Sequence, residues 1–258
     1  MSQPSINIDD FGGMAAAFPT PFRLLVRDTV DSTNDELRLL AAEGAPEGLV
    51  LLAKQQNRGR GRRGAAWFAP ADESLAFSLL VRPVEPQALW PRLALAAGLA
   101  VAEALDDFGA SAGLKWPNDI WLGQRKVAGI LVEAGPDFAI VGIGLNVNTL
   151  GFPPELDAIA TSLRLETGQA HPRHKVLGAI VRHFAVRRTQ IGSAFEPLLD
   201  AFRPRCVLTG HRVSLRTASG AHQGTVEGIG PGGELLLRTP IGLESWIQAD
   251  EIRILPPC

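Results

Sequence analysis

Apolar and polar residues follow two rhythms along this chain, and the switches between them mark its elements. Residues 1–17 mix Ser, Pro, Gly, Asp and Ala without a period, which predicts a loosely ordered tail. A first strand is predicted over residues 22–26, with residues 28–31 leading out of it. Leu37, Leu40 and Ala41 then recur at helical spacing until Gly44, and Thr33 followed three residues later by Glu36 predicts a capping box at that helix's start. Strands are predicted over 49–53 and 74–81, with a polar stretch between them. From 89 to 108, Leu93, Ala96, Ala97, Ala100, Val101, Ala104 and Leu105 keep the i, i+3, i+4 pattern of a buried helix, whose small residues and Gly98 suit packing against a sheet. Residues 114–122 read as strand, turn, strand around Pro117, and further strands follow over 126–133 and 138–148. Helices are predicted around 175–190 and toward Phe202. From Cys206 the pattern changes to short alternating runs separated by glycines, at 213–215, 223–228, 234–237 and 245–247, which predicts a small β-barrel. The division expected is therefore a tail over 1–17, a large domain over 18–205 and a small one over 206–258.

Composition narrows the class. A chain of 258 residues with 46% hydrophobic content can bury the core of one large domain and a small one. The formal net charge of −2 gives no global basic field of the kind that marks wholesale nucleic-acid binding. Cys206 and Cys258 are too few and too far apart for a disulfide framework or a zinc site, and a reducing cytoplasm fits them. Asp9 and Asp10 stand where a signal peptide would carry basic residues, and no apolar run approaches membrane-spanning length, so neither export nor membrane insertion is expected.

Basicity is local instead. Residues 56–64, Gln-Asn-Arg-Gly-Arg-Gly-Arg-Arg-Gly, alternate guanidinium forks with glycines in a loop between two strands, a combination suited to clamping phosphate or carboxylate oxygens. A solvated basic loop or a nucleic-acid patch fits the same residues. Ser32, Thr33 and Asn34 lie at a helix start, where free N–H groups can hold an anion or a polar head group, or where they serve only as a cap. Lys115, Asn118 and Asp119 are brought together by the turn after Trp116-Pro117. Lysine at that point can neutralise phosphate charge, and Asn118 and Asp119 offer oxygen ligands for Mg²⁺; an incidental surface Lys–Asp pair is the plainer reading. Lysine is scarce, with Lys54, Lys115, Lys126 and Lys175 the only four, and two of them fall in this hairpin. Gly142 and Gly144 share one face of a strand, where either a flat ligand or a packed aromatic side chain can lie, and Asn146 and Asn148 follow at its end. His171 and His174 have helical ligand spacing but no third ligand nearby, and read as surface residues.

Taken in order, Asp31-Ser32-Thr33-Asn34, the Gly-Arg loop continuing to Ala65-Ala66-Trp67, Lys115-Trp116-Pro117-Asn118-Asp119, Lys126-Val127-Ala128-Gly129-Ile130-Leu131 and Gly142-Ile143-Gly144-Leu145-Asn146-Val147-Asn148 resemble the biotin protein ligases. The resemblance runs over roughly residues 22 to 255. It implies an α+β fold, a mixed β-sheet flanked by helices as in class II synthetase-like ligases, with an SH3-like β-barrel at the C-terminus. It implies activation of biotin by Mg²⁺ and ATP to biotinoyl-5′-AMP, then transfer to one lysine of a biotin carboxyl carrier domain. By the same carry-over Arg60, Lys115 and Lys126 are catalytic. Ser32, Thr33, Asn34, Gln56, Gly59, Arg60, Gly61, Arg62, Lys126, Gly129, Gly142 and Gly144 would meet biotin. Arg60, Arg62, Arg63, Lys115, Asn118, Asp119, Asn146 and Asn148 would meet ATP or the adenylate, with Asp119 on Mg²⁺. A monomer or homodimer that binds no DNA is expected, since the residues before Phe22 are too few and too irregular for a helix-turn-helix.

Two positions depart from the family's loop: Asn57 stands where Thr is usual, and Ala65 where Arg is usual. The loss of a cation at Ala65 predicts a weaker hold on the acyl-adenylate, offset in part by Arg58 or Arg63. Two other readings compete, a lipoate or octanoate ligase of the same fold and a non-catalytic nucleic-acid module built on the basic loop.

Overall fold

The structure, a computed structural model, describes Phe11, residues 18–217 and residues 220–256. Apart from Phe11, the tail expected over 1–17 lies outside the described residues, as does Cys258. The larger sheet takes strands β1 (Arg23–Val30), β2 (Leu49–Gln56), β3 (Ser74–Val81), β4 (Ala112–Lys115), β5 (Asp119–Leu122), β6 (Arg125–Ala134) and β7 (Ala139–Asn146) in the order β1-β2-β3-β7-β6-β5-β4. Only β1 and β2 run parallel, so the sheet is mixed. Helix α1 (Thr33–Ala42) makes the crossover that this parallel pair requires. Both strands run longer than their apolar cores predict, because the pairing carries on through Thr29↔Gln55 and Val30↔Gln56 and leaves Gln56 at the start of the basic loop.

The two faces of this sheet are covered differently. On one side α2 (Arg92–Asp106) and α5 (Arg173–Arg187) bury the main core, with Leu93, Ala97, Ala100, Val101 and Phe184 fully enclosed. Short helices α3 (Pro154–Asp157) and α4 (Leu163–Thr167) join β7 to α5, and α6 (Phe195–Phe202) leads toward the second sheet. On the other side α1 packs Leu37 and Ala41 on Leu51, Leu80, Phe138 and Ile140. This helix covers only part of that face. Beyond its N-terminus the row that began with Ile140 continues, two residues at a time, as Gly142 and Gly144.

The C-terminal segment forms an SH3-like unit, a five-stranded antiparallel sheet of β8 (Arg212–Thr217), β9 (Gly220–Ile229), β10 (Leu235–Thr239), β11 (Gly242–Trp246) and β12 (Glu251–Ile254), ordered β11-β10-β9-β8-β12. The alternation of the sequence predicts four of these strands; β12 offers only four residues of pattern. Val213, Leu215, Val226, Leu235, Leu237 and Ile252 join the same continuous core as α2 and the large sheet. The strand arrangement thereby holds the turn before β12, at Ala249 and Asp250, against the basic loop.

Candidate active site

Ser32 is the N-cap of α1, but it makes no side-chain cap bond. The expected capping box is absent because its members have other partners: the Thr33 N–H and hydroxyl both reach Gln56 Oε1, at 2.8 and 3.1 Å, and Glu36 pairs with Arg27. Ser32, Thr33 and Asn34 are all buried. The one proton of the Ser78 hydroxyl goes to Asn34 Oδ1 at 2.6 Å, while its oxygen also lies 2.8 Å from Thr33 Oγ1. The Asn34 amide in turn donates to Glu133 Oε2 at 2.7 Å. A ready-made polar end wall results, with its side chains locked by one another.

Gly142 carries no Cβ because Asn34 lies against it, and a Cβ there would collide with the amide oxygen. Gly129 and Gly144 face each other directly across β6 and β7, and the bare patch they make carries the indole of Trp67. A Cβ on Gly144 would be driven into that ring, and one on Gly129 would meet it at 3.3 Å. Of the two occupants that the glycine spacing suggests, the aromatic side chain is therefore the one present. Trp67 Nε1 is buried without a hydrogen-bond partner, an orphaned donor inside a polar-ended slot. About 50 Å³ is left open in the slot, room for a few waters, with Trp67 among the residues that line it.

The Gly-Arg loop folds as a narrow hairpin over this slot. Arg60 and Ala66 form a bridge, Gly61 N–H reaches Ala65 O at 2.7 Å, and Trp67 N–H reaches Gly59 O at 2.9 Å. Arg63 sits at φ 59° and forms an ion pair with Asp250. Arg62 donates to Asn118 Oδ1 at 2.8 Å and to Ala249 O at 2.7 Å, while Arg60 pairs with Asp35 and lies 3.7 Å from Glu133. The loop is thus tied at three arginines, two of them to the segment before β12.

A second cavity of about 410 Å³ opens beyond Arg62 and Asn118, between the β4–β5 hairpin and the 249–253 segment. Lys115 and Asp119 are cross-strand partners at the end of that hairpin. Lys126 Nζ contacts Asp119 Oδ1 at 2.7 Å, and Asn118 Nδ2 reaches the same oxygen at 3.2 Å. Lys115 Nζ stacks on the Trp121 ring at 4.8 Å. Burial pushes the Lys115 ammonium below the usual lysine range, Lys126 adds to that, and Asp119 and Glu251 oppose it. Burial lowers Arg62 as well, against the pull of Asp119. Cations taken partly out of water and held by neighbours are prepared to receive an anion.

Ser32, Thr33, Asn34, Gln56, Arg60, Gly61, Arg62, Asn118, Lys126, Gly129, Gly142 and Gly144 meet around the slot, and Arg62, Lys115, Asn118, Asp119 and Lys126 around the second cavity. Gly59 and Arg63 belong to the loop but line neither cavity. Asn146 and Asn148 line neither cavity: Asn146 donates to Thr161 O at 3.0 Å and Asn148 to His171 O at 2.9 Å. His171 is not a surface residue, being buried against Phe108 with its ring bonded to Thr167 at 2.6 Å. The described residues contain no cluster of three His, Cys, Asp or Glu side chains able to hold a metal. Trp67, Ser78, Glu133 and Asp250 are the residues that sequence reasoning leaves out. The paired glycines were a signal for Trp67; Glu133 and Asp250 carry none.

A family model described as the biotin/lipoate A/B protein ligase family matches residues 26–148. The chain is 40% identical over 196 residues to a biotin--[acetyl-CoA-carboxylase] ligase of Mycobacterium tuberculosis, covering 73% of each protein. To the enzyme of the same name from Paracoccus denitrificans it is 36% identical over 224 residues, 82% of this chain and 92% of the relative. Among solved structures, a biotin protein ligase from Aquifex aeolicus in complex with biotin and ATP superposes with a TM-score of 0.82 at 31% identity, over 90% of this chain and 99% of that one.

Proposed function

The chain belongs to the biotin protein ligase family, and on that premise we propose how its residues share the work of the reaction. It is an ATP-dependent ligase that activates biotin to biotinoyl-5′-AMP, releasing pyrophosphate, and passes the biotinoyl group to a lysine of a biotin carboxyl carrier domain. The observation that carries the assignment is the meeting of two chambers at the Arg62–Asn118 hydrogen bond, one narrow and glycine-floored, the other wide and lined by lysines.

Biotin takes the slot. Its polar ring end meets Ser32, Thr33 and Asn34, whose hydrogen bonds to Gln56, Ser78 and Glu133 hold them in place. Its body replaces Trp67 on the Gly129–Gly144 floor, and the loop then closes with Gly59, Arg60 and Gly61 above it. The carboxylate emerges at Arg62 and Asn118, where ATP in the second cavity presents its α-phosphate. Two anions must approach each other there, and fixed positive charge from Arg60, Arg62, Lys115 and Lys126 stabilises the added negative charge of the transition state. Asn118, Arg63, Asn146 and Asn148 act from the nucleotide side, the last two by holding the segment behind it. Closure of the loop excludes water from the mixed anhydride.

Mg²⁺ fits one carboxylate here. The contacts of Asp119 to Lys126 and Asn118 both use Oδ1, which leaves Oδ2 for an oxygen-preferring cation held otherwise by phosphate and water. When bound, the cation supplies charge neutralisation on the phosphates.

The enzyme acts in the cytoplasm, a reading supported by its cysteine usage, and binds no DNA, a reading supported by its net charge of −2; its state is monomer or homodimer. No helix of the described residues is long and apolar enough to cross a membrane. Biotin-dependent ATP–pyrophosphate exchange tests the assignment. Exchange driven by lipoate or octanoate instead, or salt-sensitive DNA binding without exchange, would replace it.

A further inference from the structure

A third cavity meets the same junction. It holds about 330 Å³, shares Arg62, Asn118, Ile130 and Leu131 with the biotin slot, and opens to the surface between Trp90 and Pro91 on one side and Ile247 on the other. Its walls are largely apolar, and Arg62 is its one basic residue among the described residues. Ile247 stands at its mouth 82% exposed, an apolar side chain that the fold itself does not use.

The geometry points to this groove as the entrance for the acceptor lysine, an inference that rests on the ligase reading above. When transfer begins, the biotinoyl group fills the slot and the AMP half of the adenylate fills the lysine-lined cavity. Of the three chambers that meet at Arg62 and Asn118 among the described residues, the third is then free. The chemistry also needs what an apolar sleeve supplies. Lysine must give up one proton before it can attack, and an environment poor in water disfavours the charged ammonium and lowers its pKa. The neutral nitrogen bonds to the acyl carbon, the carbon–oxygen bond to the phosphate breaks, AMP departs with that electron pair, and the second nitrogen-bound proton passes to solvent. Arg62, held between Asn118 Oδ1 and Ala249 O, lies where the groove ends and can stay paired with the departing phosphate.

The test separates the two half-reactions. Ile247→Arg places a cation at the mouth, and Gln87→Arg does so on the exposed opposite wall. Biotinylation of a purified apo carrier domain should fall about tenfold in kcat/KM for each, while biotin-dependent ATP–pyrophosphate exchange and capture of the adenylate by hydroxylamine stay within twofold of the parent. Ile247→Leu should transfer at the parental rate. Parental transfer by both arginine variants, with exchange intact, would overturn the groove assignment alone. A parent enzyme without biotin-dependent exchange would overturn the ligase reading on which it rests.

Discussion

Lys115 combines a fixed place with a shifted charge equilibrium. Its cross-strand pairing with Asp119 sets its backbone at the hairpin's end, and its burial costs the ammonium hydration that neighbouring carboxylates only partly replace. The group therefore loses its proton at lower pH than an ordinary lysine, and positive charge is lost as pH rises through that lowered value. Since kcat/KM reports the free enzyme, exchange should decline on the alkaline side below pH 10.5, the ordinary value for lysine; Lys115→Arg should move that limb upward, and Lys115→Ala should lower exchange by about 10²-fold or more with an unchanged circular dichroism spectrum. Near-parental exchange in a folded Lys115→Ala variant would remove the role given to it. Gly144 allows a test of a different kind. Ala at this position would set a methyl group on the floor that biotin's body needs and narrow the slot, so titration calorimetry should find biotin bound at least tenfold more weakly, a loss of about 1.4 kcal/mol. The lysines and glycines of this site stand out in the sequence because their types are unusual where they occur. Glu133 does not: it ends an apolar strand as many glutamates do, and only the fold brings it to Asn34 and Arg60.

At the level of elements, the Gly-Arg loop is legible as an anion clamp, but what restrains it is not. Its glycine content and its own charge repulsion favour opening. Against this stand the Arg63–Asp250 pair and the Arg62–Ala249 bond, both to residues that are far away in sequence and ordinary in type. Asp250→Asn keeps the shape and removes the charge, and should let biotinoyl-AMP escape several-fold faster in a filter-binding chase; an unchanged escape rate would mean the latch has no part in retention. Position 65 belongs to the same question, since Ala65 contributes its carbonyl to Gly61 but no cation to the adenylate. Helix α1 is legible in the sequence as a helix, but its start is not a capping box although Thr33 and Glu36 have the right spacing. Their partners come from β2 and β1 instead, and tertiary contacts of that kind outweigh a local motif.

For the molecule as a whole, strand periodicity and glycine turns suffice to foresee the strands, the helices and a small β-barrel, because each element's apolar face is written locally; that the large sheet is mixed and the barrel SH3-like is implied by the family resemblance. The strand order is not local, nor is the seam by which the second sheet shares its core with α2 and holds residues 247–250 at the junction of three cavities. On the proposed reading, that junction is the one point where a carboxylate, an α-phosphate and an amine are brought together in sequence. A single-turnover chase addresses it most directly. The enzyme is mixed with biotin and ATP, the excess substrates are removed, apo carrier domain is added, and the carrier's intact mass is followed. The expected result is one biotinoyl group gained per carrier, on one lysine, with one AMP released per transfer. No adenylate carried through the removal step and no mass gain, or equal gain when lipoate replaces biotin, would contradict it.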